Sequence, residues 1–111
     1  MNNTMTIEGF TAVIAYDPDI EMFRGEFMGL NGGADFYAKD VAGLRREGEI
    51  SLRVFREGCE KHGIPVEKPA SGNLMLRIPP EVHSAVLIAA RAKGTSLNQW
   101  AAKVLAEATQ D

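Results

Sequence analysis

The 111-residue chain is poor in the features that mark secreted and membrane-spanning proteins. Its one cysteine, Cys59, cannot form an internal disulfide, which is consistent with a reducing cytosol. No stretch approaches the roughly 18 consecutive apolar residues that a membrane-spanning helix needs. The polar start at residues 1–9 lacks the basic flank and the apolar run of a secretory signal. We therefore expect a soluble cytoplasmic protein with no membrane partner.

Metal-ligating residues are equally scarce. The two histidines, His62 and His83, are far apart in the sequence and fall in different predicted domains. No spacing of His, Cys or Asp resembles a zinc site, and Cys59 lies on the apolar side of a predicted helix. A buried structural thiol is therefore favoured over a reactive one. We expect no metal and no cofactor.

Charge is distributed unevenly along the chain, although the net charge is only -3. Residues 1–40 hold two basic and seven acidic side chains, whereas residues 71–111 hold four basic and three acidic ones. An acidic first half suits a basic protein partner and repels nucleic-acid phosphate, while a merely solvated acidic surface is the alternative. The candidates for contact with a basic partner are Asp17, Asp19, Glu21, Glu26 and Asp35.

The first half of the chain predicts a small α+β domain with an antiparallel sheet of three to four strands and one long helix. Alternating apolar residues predict strands at 9–16, 22–30 and 34–38, joined by turns at 17–19 and 31–33 in an antiparallel meander. Asp40 is a suitable N-cap for a helix over 41–62 that ends at Gly63. Gly48 lies on its apolar face, where we expect it to permit close approach to the sheet. That apolar face comprises Val41, Leu44, Gly48, Leu52, Phe55 and Cys59.

The second half predicts a strand followed by two helices. Residues 65–72 read mainly as a linker, with a short edge strand as a further possibility. Alternation then predicts a strand at 73–78, a helix from Pro80 to Gly94, and a helix capped by Ser96. So short a unit has too little core of its own, and two copies would share one by pairing their strands and interlocking their helices. The predicted dimer core comprises Leu74, Leu76, Ile78, Val82, Val86, Trp100 and Val104.

A two-stranded ribbon formed by the paired strands would be narrow enough to enter the major groove of DNA. Its outward side chains, Asn73, Met75 and Arg77, would face the base edges, because arginine suits guanine, asparagine suits adenine and methionine suits a thymine methyl. The start of the last helix would present backbone N–H groups to a phosphate. The residues expected at that phosphate contact are Thr95, Ser96, Leu97 and Asn98.

These motifs resemble those of two known protein families. The Leu-Arg-Ile-Pro run at 76–79 and the Gly-Thr-Ser-Leu-Asn run at 94–98 resemble the ribbon-helix-helix family. The chain as a whole resembles the HicB antitoxin family, and the motifs from residue 71 onward are the most specific part. Beside the runs at 71–83 and 96–100, that resemblance includes Asp-Pro-Asp at 17–19, Gly-Ala-Asp-Phe-Tyr at 33–37 and the run at 59–69.

The HicB resemblance implies a non-enzymatic type II antitoxin of α+β fold. Residues 1–68 would form a partial RNase H-like domain that binds a HicA-like toxin, a small basic mRNA interferase. Residues 69–72 would be a linker, and residues 73–111 a ribbon-helix-helix domain that binds operator double-stranded DNA as a homodimer or tetramer. Two alternatives remain: a regulator whose first domain binds a partner other than a toxin, and an active RNase H-like nuclease using Asp17 and Asp19.

Overall fold

A computed structural model describes residues 3–110, so the predicted domain ends at residues 1 and 111 lie outside the described residues. The contacts divide these residues into two compact units, 3–72 and 73–110. The first unit contains the strands β1 (Thr4–Ile7), β2 (Phe10–Asp17), β3 (Met22–Phe27) and β4 (Asp35–Ala38) and the helix α1 (Val41–His62). The second contains the helices α2 (Pro80–Ala92) and α3 (Leu97–Ala108). The predicted α+β class is confirmed.

The four strands form one antiparallel sheet in sequence order, which agrees with the three to four strands predicted, although only three of them were placed in the sequence. The additional strand, β1, is joined to β2 by a two-residue turn in which Glu8 and Gly9 both have positive φ, 50° and 83°. The strand predicted over 22–30 ends earlier, at Phe27. Leu30 instead forms an isolated antiparallel bridge with Glu67. The possible edge strand at 65–72 is therefore reduced to a short contact beside the sheet.

Helix α1 has the predicted bounds because both of its ends are encoded locally. The Asp40 side chain accepts a hydrogen bond from the Gly43 N–H at 2.6 Å, which satisfies one of the unpaired donors of the first turn. At the other end Gly63 adopts the left-handed conformation, with φ 66°. Of the predicted apolar face, Leu44, Gly48, Leu52 and Cys59 are buried and Phe55 is half-buried. Val41, the first residue of the helix, is exposed, contrary to the predicted apolar face.

The helix approaches the sheet closely at Gly48, as the sequence predicts. A Cβ atom added to Gly48 would clash with Cδ1 of Ile7 and would lie 3.0 Å from Cε2 of Phe36. A Cβ added to Gly25 on β3 would also clash with the Phe36 ring. The two glycines therefore make the space in which Phe36, only 4% exposed, fills the core of this unit.

The second unit has almost no interior in the single chain. Pro80 occupies the first turn of α2, and Ser96 caps α3 in a reciprocal capping box with Gln99. Ala90 is the one buried residue of this unit in the described range 73–110. Residues 73–78 belong to no strand there, contrary to the sequence prediction. A strand is defined by hydrogen bonds to a neighbouring strand, and the described part of a single chain places no such neighbour beside this segment.

Candidate functional site

An apolar groove lies within the 73–110 unit and encloses about 370 Å³. All seven residues of the predicted dimer core line it, from the extended segment and from both helices. The structure thus brings the seven together on one surface, although the sequence separates the first from the last by 30 positions. The complete lining is Leu74, Leu76, Ile78, Val82, His83, Val86, Leu97, Asn98, Trp100, Ala101, Val104 and Leu105.

The groove is open to solvent. Leu74 is 70% exposed and Leu76 is 58% exposed, although burial of a leucine side chain contributes about 1.5–3 kcal/mol. Exposed apolar residues gathered on one surface, as opposed to scattered singly, mark an interaction site. The groove therefore has the composition of half a protein core: its side chains are mostly apolar, as in a core, but they are exposed on one side.

The three predicted base-reading residues alternate with the groove residues along the extended segment. Leu74, Leu76 and Ile78 line the groove, whereas Met75 is 91% exposed and Asn73 and Arg77 are also exposed. The segment therefore separates an apolar side from a side that carries one amide, one thioether and one guanidinium group. Guanidinium and amide groups recognise guanine and adenine edges in a major groove, and an apolar side chain can contact a thymine methyl.

The residues predicted to contact a phosphate lie at and just before the N-terminus of α3. The Ser96 Oγ accepts a hydrogen bond from the Gln99 N–H at 3.1 Å, and the Gln99 Oε1 accepts one from the Ser96 N–H at 3.3 Å. The N–H groups of Leu97 and Asn98 lie in the first helical turn, where no carbonyl of the helix can accept from them. Thr95 differs from the expectation, because both its N–H and its hydroxyl donate to the Ala90 carbonyl. Its side chain closes the turn between α2 and α3.

The five acidic candidates separate into two groups. Asp17, Asp19 and Glu21 lie at the turn between β2 and β3, where the Asp17 Oδ1 accepts a hydrogen bond from the Asp19 N–H at 3.0 Å. Glu26 and Asp35 are direct cross-strand neighbours on β3 and β4. The structure therefore does not gather all five at one point.

Arg24 binds both carboxylates of the second group. Its Nη2 lies 2.6 Å from the Asp35 Oδ2 and 2.9 Å from the Glu26 Oε2, and its Nε donates to the same Asp35 oxygen. The hydrogen bond with Asp35, and next the charge of Asp35, raise the pKa of Arg24 above its ordinary value. The guanidinium thus engages one oxygen of each carboxylate.

The side chains around this ion pair form a surface that sequence reasoning missed. We define the outer face as Val13, Ala15, Arg24, Glu26, Asp35 and Tyr37. In the sheet register Val13, Glu26 and Asp35 form one row, and Ala15, Arg24 and Tyr37 form the next. The signal was present in the alternation of β2, β3 and β4, but only the strand register shows which residues become neighbours.

The remaining candidates concern metal binding, the single cysteine and the membrane. Between residues 3 and 110, no group of three or more His, Cys, Asp or Glu side chains is placed to hold a metal ion. Cys59 is buried at 2% exposure, as the sequence indicates. None of the helices in the described range is both long and apolar enough to cross a membrane.

One family model matches part of the chain. Residues 55–105 match the model of the HicB family, and this match supports membership of that family. It spans the end of α1, the extended segment, α2 and most of α3. No curated protein and no solved structure matches the chain.

Proposed function

We propose that this protein is the antitoxin of a HicAB-type toxin–antitoxin system. Residues 3–72 form a partial RNase H-like domain that neutralises a HicA-like mRNA interferase by direct binding. Residues 73–110 form a ribbon-helix-helix domain that represses the antitoxin's own operon. The open apolar groove is the observation that carries the proposal, because it lies within the HicB match and has the composition of half a core.

The DNA-binding function rests on the chemistry of the extended segment. Two copies that place their grooves together bury Leu74, Leu76 and Ile78 and bring the two segments into an antiparallel pair. The paired segments present Asn73, Met75 and Arg77 from each copy on the opposite side. Such a ribbon enters a major groove, while the α3 N-termini contact the flanking phosphates.

The antitoxin function rests on the family match and on charge. The match supports an antitoxin role, and a basic ribonuclease is attracted by an acidic surface. Asp17, Asp19 and Glu21 at one turn, with Glu26 and Asp35 on the sheet, supply carboxylates in the 3–72 unit.

Co-expression tests both functions together. The chain is expressed with the small basic protein encoded by the adjacent reading frame, and the purified material is titrated onto a labelled fragment of its own promoter. We expect the two proteins to copurify and the promoter fragment to be bound in preference to an unrelated fragment of equal length. Copurification without promoter binding would contradict the repressor function alone.

One observation favours a second candidate function. The family match begins at residue 55 and therefore includes none of the sheet. A ribbon-helix-helix regulator whose first unit binds a partner other than a toxin has the same 73–110 unit. Binding of the promoter together with failure to bind the adjacent basic protein distinguishes this regulator from an antitoxin.

The third hypothesis, that the chain is an RNase H-like nuclease, needs a separate test. Asp17 and Asp19 lie at a turn, where the Asp19 N–H donates a hydrogen bond to the Asp17 side chain. An RNase H-like nuclease needs several carboxylates that converge on a pair of metal ions. Metal-dependent RNA cleavage by the purified chain that is lost in Asp17→Asn would establish the nuclease in place of the antitoxin.

A further inference from the structure

Helix α1 packs on one face of the sheet and leaves the outer face uncovered within the 3–72 unit. The buried residues Ala12, Phe27, Phe36 and Ala38 alternate with outer-face residues along β2, β3 and β4. Val13 remains 44% exposed and Tyr37 41% exposed. Antiparallel sheets that are covered on one side usually carry polar side chains on the other. Thr6 and Thr11 on the same side of the sheet follow this pattern, whereas Val13, Ala15 and the ring of Tyr37 add apolar surface to it.

Charge distinguishes the two sides of this unit. The outer face holds the two carboxylates of Glu26 and Asp35 against the single guanidinium of Arg24. Helix α1 holds five Lys or Arg side chains and four Glu side chains, so the helical side carries no acidic excess. A basic protein is therefore attracted to the sheet side and not to the helix side.

The Arg24 ion pair also fixes the orientation of the two carboxylates that a partner would bind. Arg24 binds Oε2 of Glu26 and Oδ2 of Asp35, so the second oxygen of each carboxylate lies outside the ion pair. Holding the two acidic side chains in one geometry lowers the entropy that a partner must remove when it binds them. A Lys or Arg side chain of a partner would find two oriented acceptors beside an apolar surface.

We propose that the outer face is the docking surface for the basic toxin. Val13 and Tyr37 contact apolar surface of the toxin, and Glu26 and Asp35 bind its Lys or Arg side chains. The inference rests on the proposed antitoxin function and adds the surface and the residues that perform it.

Isothermal titration of the full-length chain with the purified basic protein from the adjacent reading frame tests the proposal. Val13→Lys places a cation on the outer face, and Val54→Lys makes the same change on α1, where Val54 is 60% exposed. We expect Val13→Lys to weaken binding by about tenfold or more and Val54→Lys by less than about twofold. Tyr37→Lys, on the edge strand β4, is a second outer-face variant for the case that Val13→Lys does not fold, as judged by circular dichroism.

The outcomes separate the docking surface from the antitoxin function. Binding within about twofold of the unmodified chain for both Val13→Lys and Tyr37→Lys overturns the docking surface and leaves the antitoxin function intact. Equal weakening by Val13→Lys and Val54→Lys also overturns it, because the effect would then not depend on the face. No binding by the unmodified chain overturns the antitoxin function and the docking surface together.

Discussion

At the residue scale, the fit of one aromatic ring determines how closely α1 approaches the sheet. Phe36 lies between Gly25 on β3 and Gly48 on α1. A residue larger than glycine at either of these two positions would press against the Phe36 ring. The sequence shows that Gly48 falls on the apolar face, but it does not show which ring faces it. That information lies in the sheet register, which pairs Gly25 directly with Phe36.

Gly48→Ala is expected to destabilise the protein although alanine is the better helix former. The added methyl group clashes with Ile7 and compresses Phe36, and overpacking of this kind costs about 1–3 kcal/mol. Gly58→Ala is the matched control on the same helix, because a Cβ there meets nothing within 4 Å. It should stabilise the chain by about 0.5–1 kcal/mol. Urea denaturation of both variants measures the difference, and equal free energies of unfolding would contradict the packing described.

Arg77→Ala is expected to weaken binding to the operator by about 1–3 kcal/mol, because it removes a bidentate donor to a base edge. Arg77 lies outside the groove lining, so dimerisation and toxin binding should not change. Arg53→Ala on α1 is the control, since it removes the same charge from the other unit. Fluorescence anisotropy with a labelled promoter fragment measures the effect. Equal loss of DNA binding, dimerisation and toxin binding would assign Arg77 a structural role.

At the element scale, α3 combines a capping box with a helix N-terminus that we propose contacts a phosphate. Both depend on Ser96, whose Oγ accepts from the Gln99 N–H. Aspartate caps a helix as well as serine does, but it brings a negative charge to the N-terminus. The two roles of this residue can therefore be separated by one pair of substitutions.

Ser96→Ala is expected to destabilise the 73–110 unit by about 1 kcal/mol, because the cap is lost. Ser96→Asp should keep the stability but weaken operator binding by about tenfold, because the carboxylate repels the phosphate. Thermal unfolding and promoter titration of the two variants give the two readouts. Unchanged operator binding by Ser96→Asp would place the phosphate elsewhere.

The elements also show what the sequence could predict and what it could not. Helix α1 was predicted to the residue because Asp40 and Gly63 act locally at its ends. Strand β1 was missed because four residues beside a single Glu-Gly turn carry too little pattern. The alternation at 73–78 predicts which side chains line the groove, but it does not predict that these residues lie outside any strand, because a strand also requires a neighbouring strand. The Arg24 ion pair was missed because it joins residues 11 positions apart through the strand register.

At the scale of the whole molecule, the two units differ in how much core they have. The 3–72 unit buries Ile7, Leu44 and Leu52 almost completely, whereas the 73–110 unit leaves most of its apolar residues exposed. A unit of that length usually needs a partner, a metal or disulfides to be stable. Among these, a second copy fits best, because along residues 73–78 the apolar side chains that line the groove alternate with the three side chains proposed to read bases.

The proposed dimer is tested by two variants, Leu76→Glu and Met75→Glu. The two residues are adjacent in the extended segment 73–78, but their side chains lie on opposite sides of it. Leu76 lines the groove and Met75 does not. We expect Leu76→Glu to be monomeric in analytical ultracentrifugation, because it buries an unpaired charge in the shared core. Met75→Glu should remain dimeric and bind the operator about tenfold or more weakly, because in the proposed ribbon its carboxylate would repel the DNA phosphates. Dimeric Leu76→Glu would contradict the shared core.

The most direct test of the antitoxin function is a titration of ribonuclease activity. The purified basic protein from the adjacent reading frame is incubated with RNA while increasing amounts of the full-length chain are added. For an antitoxin, RNA cleavage should decrease in proportion to the added chain and be abolished once every toxin molecule is bound. Undiminished cleavage in the presence of excess folded chain would contradict the antitoxin function.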